Sequence, residues 1–432
     1  MGRLQLIGII SKGGFSLAIL VALCVSCTSK NNNKYNYKYG KLNEAVIQNM
    51  QKDTMGNPDD VRLINIDCNY EYKEAGFLFH DLKLIPLETS SKSLIGEVDK
   101  IMIQDSFVYL LDVNKAKSLL VFNLNSGKFL RKIGNYGKSN SDFTVDGNHV
   151  IILDNRSTKL LIFDIEGNFK EVSRLQFALQ TIERTGVDSV FIGIAGDNRH
   201  IDAIHKYKIL KFNTHGNILS KHLKMDYSIN FCELNNLKYE LGRFWYHAPF
   251  SNNIVFLDGL VTEVKYKFQF SKVGIPDDFV KNASYIGTAY KENLDFEEMK
   301  TQYKNFIEKY RRSHSYVQNV SCYTNRYMIS QYADEGRNGC LLVYDMISDR
   351  IIFNGVPTFD SQEGTIKDFL AMRFGGKSPL FAVEGDRIYG MIPAESLGVL
   401  DSNEKIKGLL KKGTLSNDNP ILFSVDIKEN FD

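Results

Sequence analysis

Leu119-Leu120-Val121-Phe122-Asn123, closed by Gly127, decides the fold because it comes back. It returns as Leu160-Leu161-Ile162-Phe163-Asp164 with Gly167, and as Ile209-Leu210-Lys211-Phe212-Asn213 with Gly216. A fourth copy reads Leu341-Leu342-Val343-Tyr344-Asp345. Each copy is a β-branched or aromatic run, then Asn or Asp, then a turn, which is strand chemistry. Asn or Asp followed by Gly makes a tight hairpin, because Gly takes the positive φ such turns demand. Phe122, Phe163 and Phe212 recur at spacings of about 41 and 49 residues, the ~40–50-residue period of a propeller blade.

A second run precedes the first in each unit. Val108-Tyr109-Leu110-Leu111-Asp112 is followed by similar runs at 150–154, 190–194, 254–258, 327–330 and 388–392, six in all. Nearly continuous apolarity predicts strands covered on both faces. A small sheet cannot cover both faces by itself, whereas six stacked around an axis can, leaving only short edges. The predicted fold class is all-β, a six-bladed β-propeller over residues 61–432. The ring must also close. The last strand, 421–427, follows a helix-like 404–411, and either 62–67 or 77–87 can complete its blade. The period breaks at 277–313, where Asp295-Phe296-Glu297-Glu298 forms a capping box. Phe296, Met299, Tyr303, Phe306 and Tyr310 then share one helical face. An amphipathic helix is therefore predicted between blades four and five, packed on the propeller's edge or held as a docking or lid helix.

Upstream, an uncharged apolar run at 15–25 has Arg3 and Lys12 before it and ends in Cys24-Val25-Ser26-Cys27. The run is shorter than the ~20 residues of a spanning helix. It reads as a cleaved signal over 1–26, with Ser26 the small residue before the cut and Cys27 the lipid acceptor. Two or more acyl chains anchor a protein stably where one does not. Residues 27–60 are rich in Asn, Lys and Tyr, lack a period, and read as a flexible stalk.

The 432 residues are 43% hydrophobic and 24% charged, with a net charge of +2. That composition is ordinary for a globular chain, and without a concentrated basic face it excludes nucleic acid as a partner. Cys322 and Cys340 lie in one unit and either pair or stay buried as thiols. Beyond the Cys24-Val25-Ser26-Cys27 end of the signal, no CxxC or HxxH spacing calls for a metal site, and nothing calls for a cofactor. The loops after the second run hold Asn114-Lys115, Asn155-Arg156, Asp197-Asn198-Arg199-His200, Asp334-Glu335-Gly336-Arg337 and Glu395. Arg156, Arg199, His200, Glu335 and Arg337 are the candidate ligand-binding residues, suited at one channel mouth to a polar or anionic ligand. The same residues also fit a solvated rim. Asp112, Asp154 and Asp258 share a repeat position, as a metal set or as caps of their own turns. Phe244-Trp245-Tyr246-His247 holds the single tryptophan, a platform for sugar stacking or a packing element between blades. No GxSxG, HExxH or P-loop occurs.

Three stretches resemble the six-bladed β-propeller lipoproteins of Bacteroidetes. They are Leu84-Ile85-Pro86-Leu87-Glu88-Thr89 with Leu94-Ile95-Gly96-Glu97, then Gly127-Lys128-Phe129-Leu130-Arg131-Lys132-Ile133-Gly134, then Pro249-Phe250 with Val264-Lys265-Tyr266-Lys267-Phe268 and Ile275-Pro276. After Gly134 the chain departs from the family's glycine- and proline-rich turn, reading Asn135-Tyr136-Gly137-Lys138-Ser139-Asn140-Ser141-Asp142-Phe143. The resemblance implies the architecture and a multiply acylated Cys27 at the outer membrane, with no settled activity to carry over. Surface-exposed lipoproteins of this group often carry acidic residues after the cysteine. Thr28-Ser29-Lys30-Asn31 has none, which favours the periplasmic face over surface exposure. The expected function is a tethered, non-enzymatic propeller binding a ligand, a glycan or an envelope protein. The alternative is an envelope hydrolase or lyase whose acid and base come from different blades at the channel mouth.

Overall fold

Strand follows strand from the axis to the rim, six times around. The computed structural model describes residues 50–134, 140–196, 198, 201–225, 236–240, 242–279, 281–282, 296–374, 381–393, 396, 398, 400, 403–407 and 418–428. Blade 1 runs outward through Lys100–Gln104, Phe107–Asp112, Ser118–Asn123 and Phe129–Ile133, all antiparallel. Blades 2 to 5 occupy 140–174, 183–224, 237–270 and 316–357. Blade 6 takes Phe381–Glu384, Arg387–Ile392 and Ile421–Ile427 from the end of the chain and Phe79–Pro86 from its beginning. Around the axis the first strands of neighbouring blades touch, from blade 5 through blade 6 to blades 1, 2, 3 and 4. The fold is the predicted six-bladed propeller.

Each seam between blades is its own apolar core. Tyr109, Leu111 and Val121 of blade 1 meet Val150, Ile152 and Phe163 of blade 2. Val108, Leu110 and Leu120, on the other parity of the same strands, meet Tyr389 and Leu422 of blade 6. The remaining seams repeat this arrangement. Alternate side chains of a strand face opposite ways, so a strand between two seams is apolar at every position. Trp245 serves the seam of blades 4 and 5, stacked 4.1 Å from Tyr323 at 23°.

Closure resolves in favour of Phe79–Pro86, whose ends pair with Ile427 and Ile421. The other possibility, Arg62–Ile66, adds a parallel strand to blade 4 beside Tyr266 to Phe270. It belongs to a strap along the rim. Gln51–Lys52 pairs with Ser220 and Lys221 of blade 3, Thr54–Met55 with Val261 and Thr262 of blade 4, and Glu71–Lys73 with Gly355 to Pro357 of blade 5. This corrects the stalk boundary. Residues 50–60, assigned to a flexible stalk, are docked, and Met50 is buried in the seam of blades 2 and 3. The strap satisfies edges that would otherwise offer open backbone groups. Asp53 fastens it by accepting the backbone N–H of Leu223 at 2.7 Å, where Leu223 is left-handed at φ 56°.

One run of the repeat takes a different place in its blade from the others. Residues 254–258 form the third strand of blade 4, whose second strand is Arg243–His247. Both middle strands of a blade are buried on both faces, so their sequences read alike. Asp258 therefore stands at the hairpin into the outer strand, with Asn123, Asp164, Asn213 and Asp345 as its counterparts, not Asp112 and Asp154.

The hairpin glycines answer to two demands. Gly127, Gly167 and Gly216 all have positive φ, between 68° and 91°. Each also lies against the end of the preceding blade's outer strand, at Pro86, Ile133 and Arg174. At Gly127 a Cβ would sit 2.1 Å from the Pro86 carbonyl oxygen. Gly127→Ala is expected to cost at least ~1–2 kcal/mol for the left-handed backbone alone. Chemical denaturation measures it, and a loss under ~0.5 kcal/mol would show that the seam yields freely.

Among the described residues, two longer helices lie in the blade-to-blade connections. Phe296–Ser313, between blades 4 and 5, packs Phe306, Ile307 and Tyr310 on Phe250, Phe279 and Tyr316. Ile366–Phe374, which the sequence reading missed, is buried in the seam of blades 5 and 6. Cys322 faces that seam and Cys340 the seam of blades 4 and 5, with a strand between them, so no disulfide joins them. Burial pushes the Cys340 thiol up to about 12.

Candidate functional site

The turns after the second strands and the blade-to-blade connections emerge at the same end of the ring. Glu335-Gly336 is the turn of blade 5, with φ of 45° and 86°, and Arg337 opens the next strand. Both Glu335 and Arg337 are exposed. Arg156 is exposed on the corresponding turn of blade 2. Blades 2 and 5 lie opposite each other across the axis of a six-membered ring. The structure therefore brings Glu335 and Arg337 together and sets Arg156 apart from them. Arg199, His200 and Glu395 lie outside the described residues, as do Cys27 and the signal over 1–26.

The repeated aspartates hold turns. Asp112 is buried and accepts the backbone N–H groups of Gly96, Glu97 and Lys115 at 2.7, 3.1 and 2.8 Å. Asp154 accepts both the backbone N–H and the hydroxyl of Ser157. Asp258 is exposed at the other end of its blade. Asn198, from the predicted rim, bonds the backbone of Ala178 through both its oxygen and its nitrogen.

Three inner strands place one cation and two carboxylates near the axis. Lys100 of blade 1 donates to Asp142 of blade 2 at 3.0 Å and to Glu183 of blade 3 at 2.7 Å. Its ammonium also meets the carbonyls of Phe143 and Ile182 at 2.9 and 3.3 Å. Asp142 in turn accepts the backbone N–H of Ile182 at 2.7 Å. The side chains are 11, 5 and 12% exposed. Burial raises both carboxyls, against the pull of Lys100. Burial also opposes the lysine's charge, but the two carboxylates outweigh it and hold the ammonium above its ordinary value. No local motif announces these residues, because each comes from a different blade.

The corner between blades 4 and 5 carries a second buried polar group. Asp334 is buried and accepts from Ser315 at 2.7 Å and from Lys272 at 2.8 Å. Lys272 reaches Glu335 as well, at 3.5 Å. Beside this corner an open cleft of about 420 Å³ lies between the outer strand of blade 4 and the connection that follows it. Asn252, Lys267, Gln269, Phe270, Gly274 and Asp277 line it. Asn252 is only 8% exposed and donates to the Ile275 carbonyl at 3.3 Å, while its side-chain oxygen is buried without a partner. Two residues earlier, Phe250 is left-handed at φ 58°, held between Phe279 and Tyr316. The imidazole of His247 bonds the Ser251 carbonyl at 2.8 Å, and burial lowers its pKa to about 4. Nothing in the sequence singled out Asn252, which reads as an ordinary turn residue.

Among solved structures, the chain is similar to a Bacteroides fragilis protein named only for its inferred export. The two are 19% identical with a TM-score of 0.65, over 85% of this chain and all of that one. It is also similar, at 10% identity and a TM-score of 0.44, to a DUF4221 family member from Bacteroides vulgatus, over 82% of this chain and 98% of that one. No functionally curated protein matches. A family model described as a domain of unknown function, DUF4934, matches residues 61–426, from the strap to the last strand of blade 6. The chain belongs to the DUF4934 family.

Proposed function

We propose that this propeller is a non-enzymatic binding protein of the envelope, held by lipid at Cys27 on the periplasmic face of the outer membrane. Its ligand meets the connection end of blades 4 and 5. The observation that carries the reading is the open cleft of about 420 Å³ at this corner, lined by Lys267, Gln269, Phe270 and Asp277. Exposed Glu335 and Arg337 on the adjoining blade extend the polar surface there. The strap supports the tether, because it brings the chain to the rim at Met50 and pairs it there with blade 3. A propeller of the same fold that carries an export name supports the compartment.

Lipid labelling in cells tests the anchor. The wild type is expected to take up an alkyne fatty acid and to fractionate with outer membrane, and Cys27→Ala to lose both properties. Label retained by Cys27→Ala would overturn the anchor. Binding is tested by thermal shift of the full chain against polar small molecules and envelope glycans. A raised Tm without turnover supports the reading, and turnover of a bound compound supports a hydrolase or lyase instead.

A further inference from the structure

We propose that the outer rim of blades 1 to 3 lies against the anionic headgroups of the membrane that holds the tether, with the strap over blades 4 and 5 turned away. The proposal rests on the anchor reading above and adds the face by which the tethered ring meets the lipid.

The chain sets the approach. Met50 is lodged in the seam of blades 2 and 3, and Gln51–Lys52 pairs with the outer strand of blade 3. Cys27 lies about 23 residues upstream, a length that spans roughly 25 Å as flexible chain. The rim beside that seam is thus the part of the ring that a lipid at Cys27 brings nearest the bilayer. Residues 28–49 carry Lys30, Lys34, Lys38 and Lys41 against Glu44 alone, so the leash shares the attraction to anionic headgroups.

Charge divides the rim in two. The outer strands of blades 1 to 3 expose Lys132, Lys170, Arg174 and Lys224, and the strap adds Lys52 beside them. Glu171 is the acid exposed on those strands, and Lys170 meets Asp164 at 2.9 Å. Farther along, the strap exposes Asp59, Asp60, Asp67, Glu71 and Glu74 against Arg62 and Lys73. Headgroup attraction fades within a Debye length of ~8–10 Å, so the rim turned to the lipid decides the sign.

Apolar groups stand between the cations. Leu130, Phe169 and Val172 are 41, 44 and 44% exposed, and cations interleaved with apolar side chains suit the headgroup boundary. Met55, Leu63 and Tyr72 are exposed further still, but on a strap whose exposed charge is mainly acidic and is repelled by an anionic surface. Charge therefore selects between two comparably apolar rims. Blade 2, at the middle of the basic arc, lies across the axis from blade 5, so the corner of blades 4 and 5 points away from the lipid.

The test is sedimentation of the mature, unlipidated chain, residues 27–432 with Cys27→Ser, with two kinds of vesicle. One is phosphatidylethanolamine containing a quarter phosphatidylglycerol, and the other is phosphatidylcholine alone. Binding to the anionic vesicles only is expected, falling fivefold or more at high salt. Lys132→Glu with Arg174→Glu is expected to weaken it tenfold or more at unchanged Tm. Reversing two cations outside the basic arc, Lys73→Glu with Arg350→Glu, is expected to change it less than twofold. Binding that survives Lys132→Glu with Arg174→Glu, or that falls equally in both pairs, would overturn the rim assignment. Absence of binding, or equal binding to both vesicles, would overturn it too, and would leave standing the anchor that lipid labelling reads independently.

Discussion

Replacing Lys100 with methionine is expected to destabilise the fold by about 3–5 kcal/mol, because it leaves Asp142 and Glu183 buried without their shared cation. The lysine joins the inner strands of three successive blades, so the loss falls on the axis of the ring. Methionine keeps the length and the apolar stem and removes the charge. With the ammonium gone, both carboxyls, already raised by burial, rise further and take up protons. Adding Glu183→Gln should recover part of the loss, since one of the two stranded carboxylates is then absent. Urea unfolding of the single and double variants measures both effects. A loss below ~1 kcal/mol for Lys100→Met would mean that water already solvates this cluster and that the buried triad does not brace the ring.

Acid should act through His247. Its imidazole is fully buried, and desolvation lowers its pKa from 6.5 to about 4. Above pH ~6.5 the residue is neutral in both folded and unfolded chains and adds no pH dependence. As pH falls from 6.5 towards 4, the unfolded chain binds a proton that the fold refuses, and stability drops. The total loss from this one group is about 3 kcal/mol once pH is below the folded value. His247→Gln keeps a donor for the Ser251 carbonyl and removes the titration. Carboxylates titrate in the same window, so the informative quantity is the difference between wild type and variant. That difference should narrow as pH falls from 7 to 4.5, and parallel curves would show that His247 protonates within the fold at no cost. His222, buried beside Ser220 and also lowered to about 4 by burial, should add a second contribution of the same sign.

The candidate site was only partly legible. Glu335 and Arg337 stand out in the sequence because charged residues at a turn contrast with apolar strands, and the structure places them at one turn of blade 5. Arg156 looked equivalent by repeat position, yet equivalent positions on blades 2 and 5 are held apart by the radius of the ring. Asp112 and Asp154 were readable as turn caps, because an Asp at a strand end meets the N–H groups of its own turn whatever lies beyond. Asp258 was misread for the same reason: an apolar strand ending in Asp looks alike on either middle strand of a blade. The helix Ile366–Phe374 went unseen because it is apolar on most sides and shows no stripe. The strap went unseen because pieces such as Gln51–Lys52 and Thr54–Met55 are too short to carry a period and are exposed.

The chain's own order of residues determined the strands, the hairpins and their sixfold return. Those depend on which φ a residue tolerates and on whether both faces of a strand are greasy, and such properties are written within five or six consecutive positions. Tertiary structure alone decided which early segment completes blade 6, how Lys100, Asp142 and Glu183 come to share one buried ionic contact, and why an ordinary Asn252 ends with a buried side-chain oxygen. Those outcomes depend on the angle at which blades stack and on the path the strap takes around them, which emerge only when the ring closes and distant groups must share the same few ångströms.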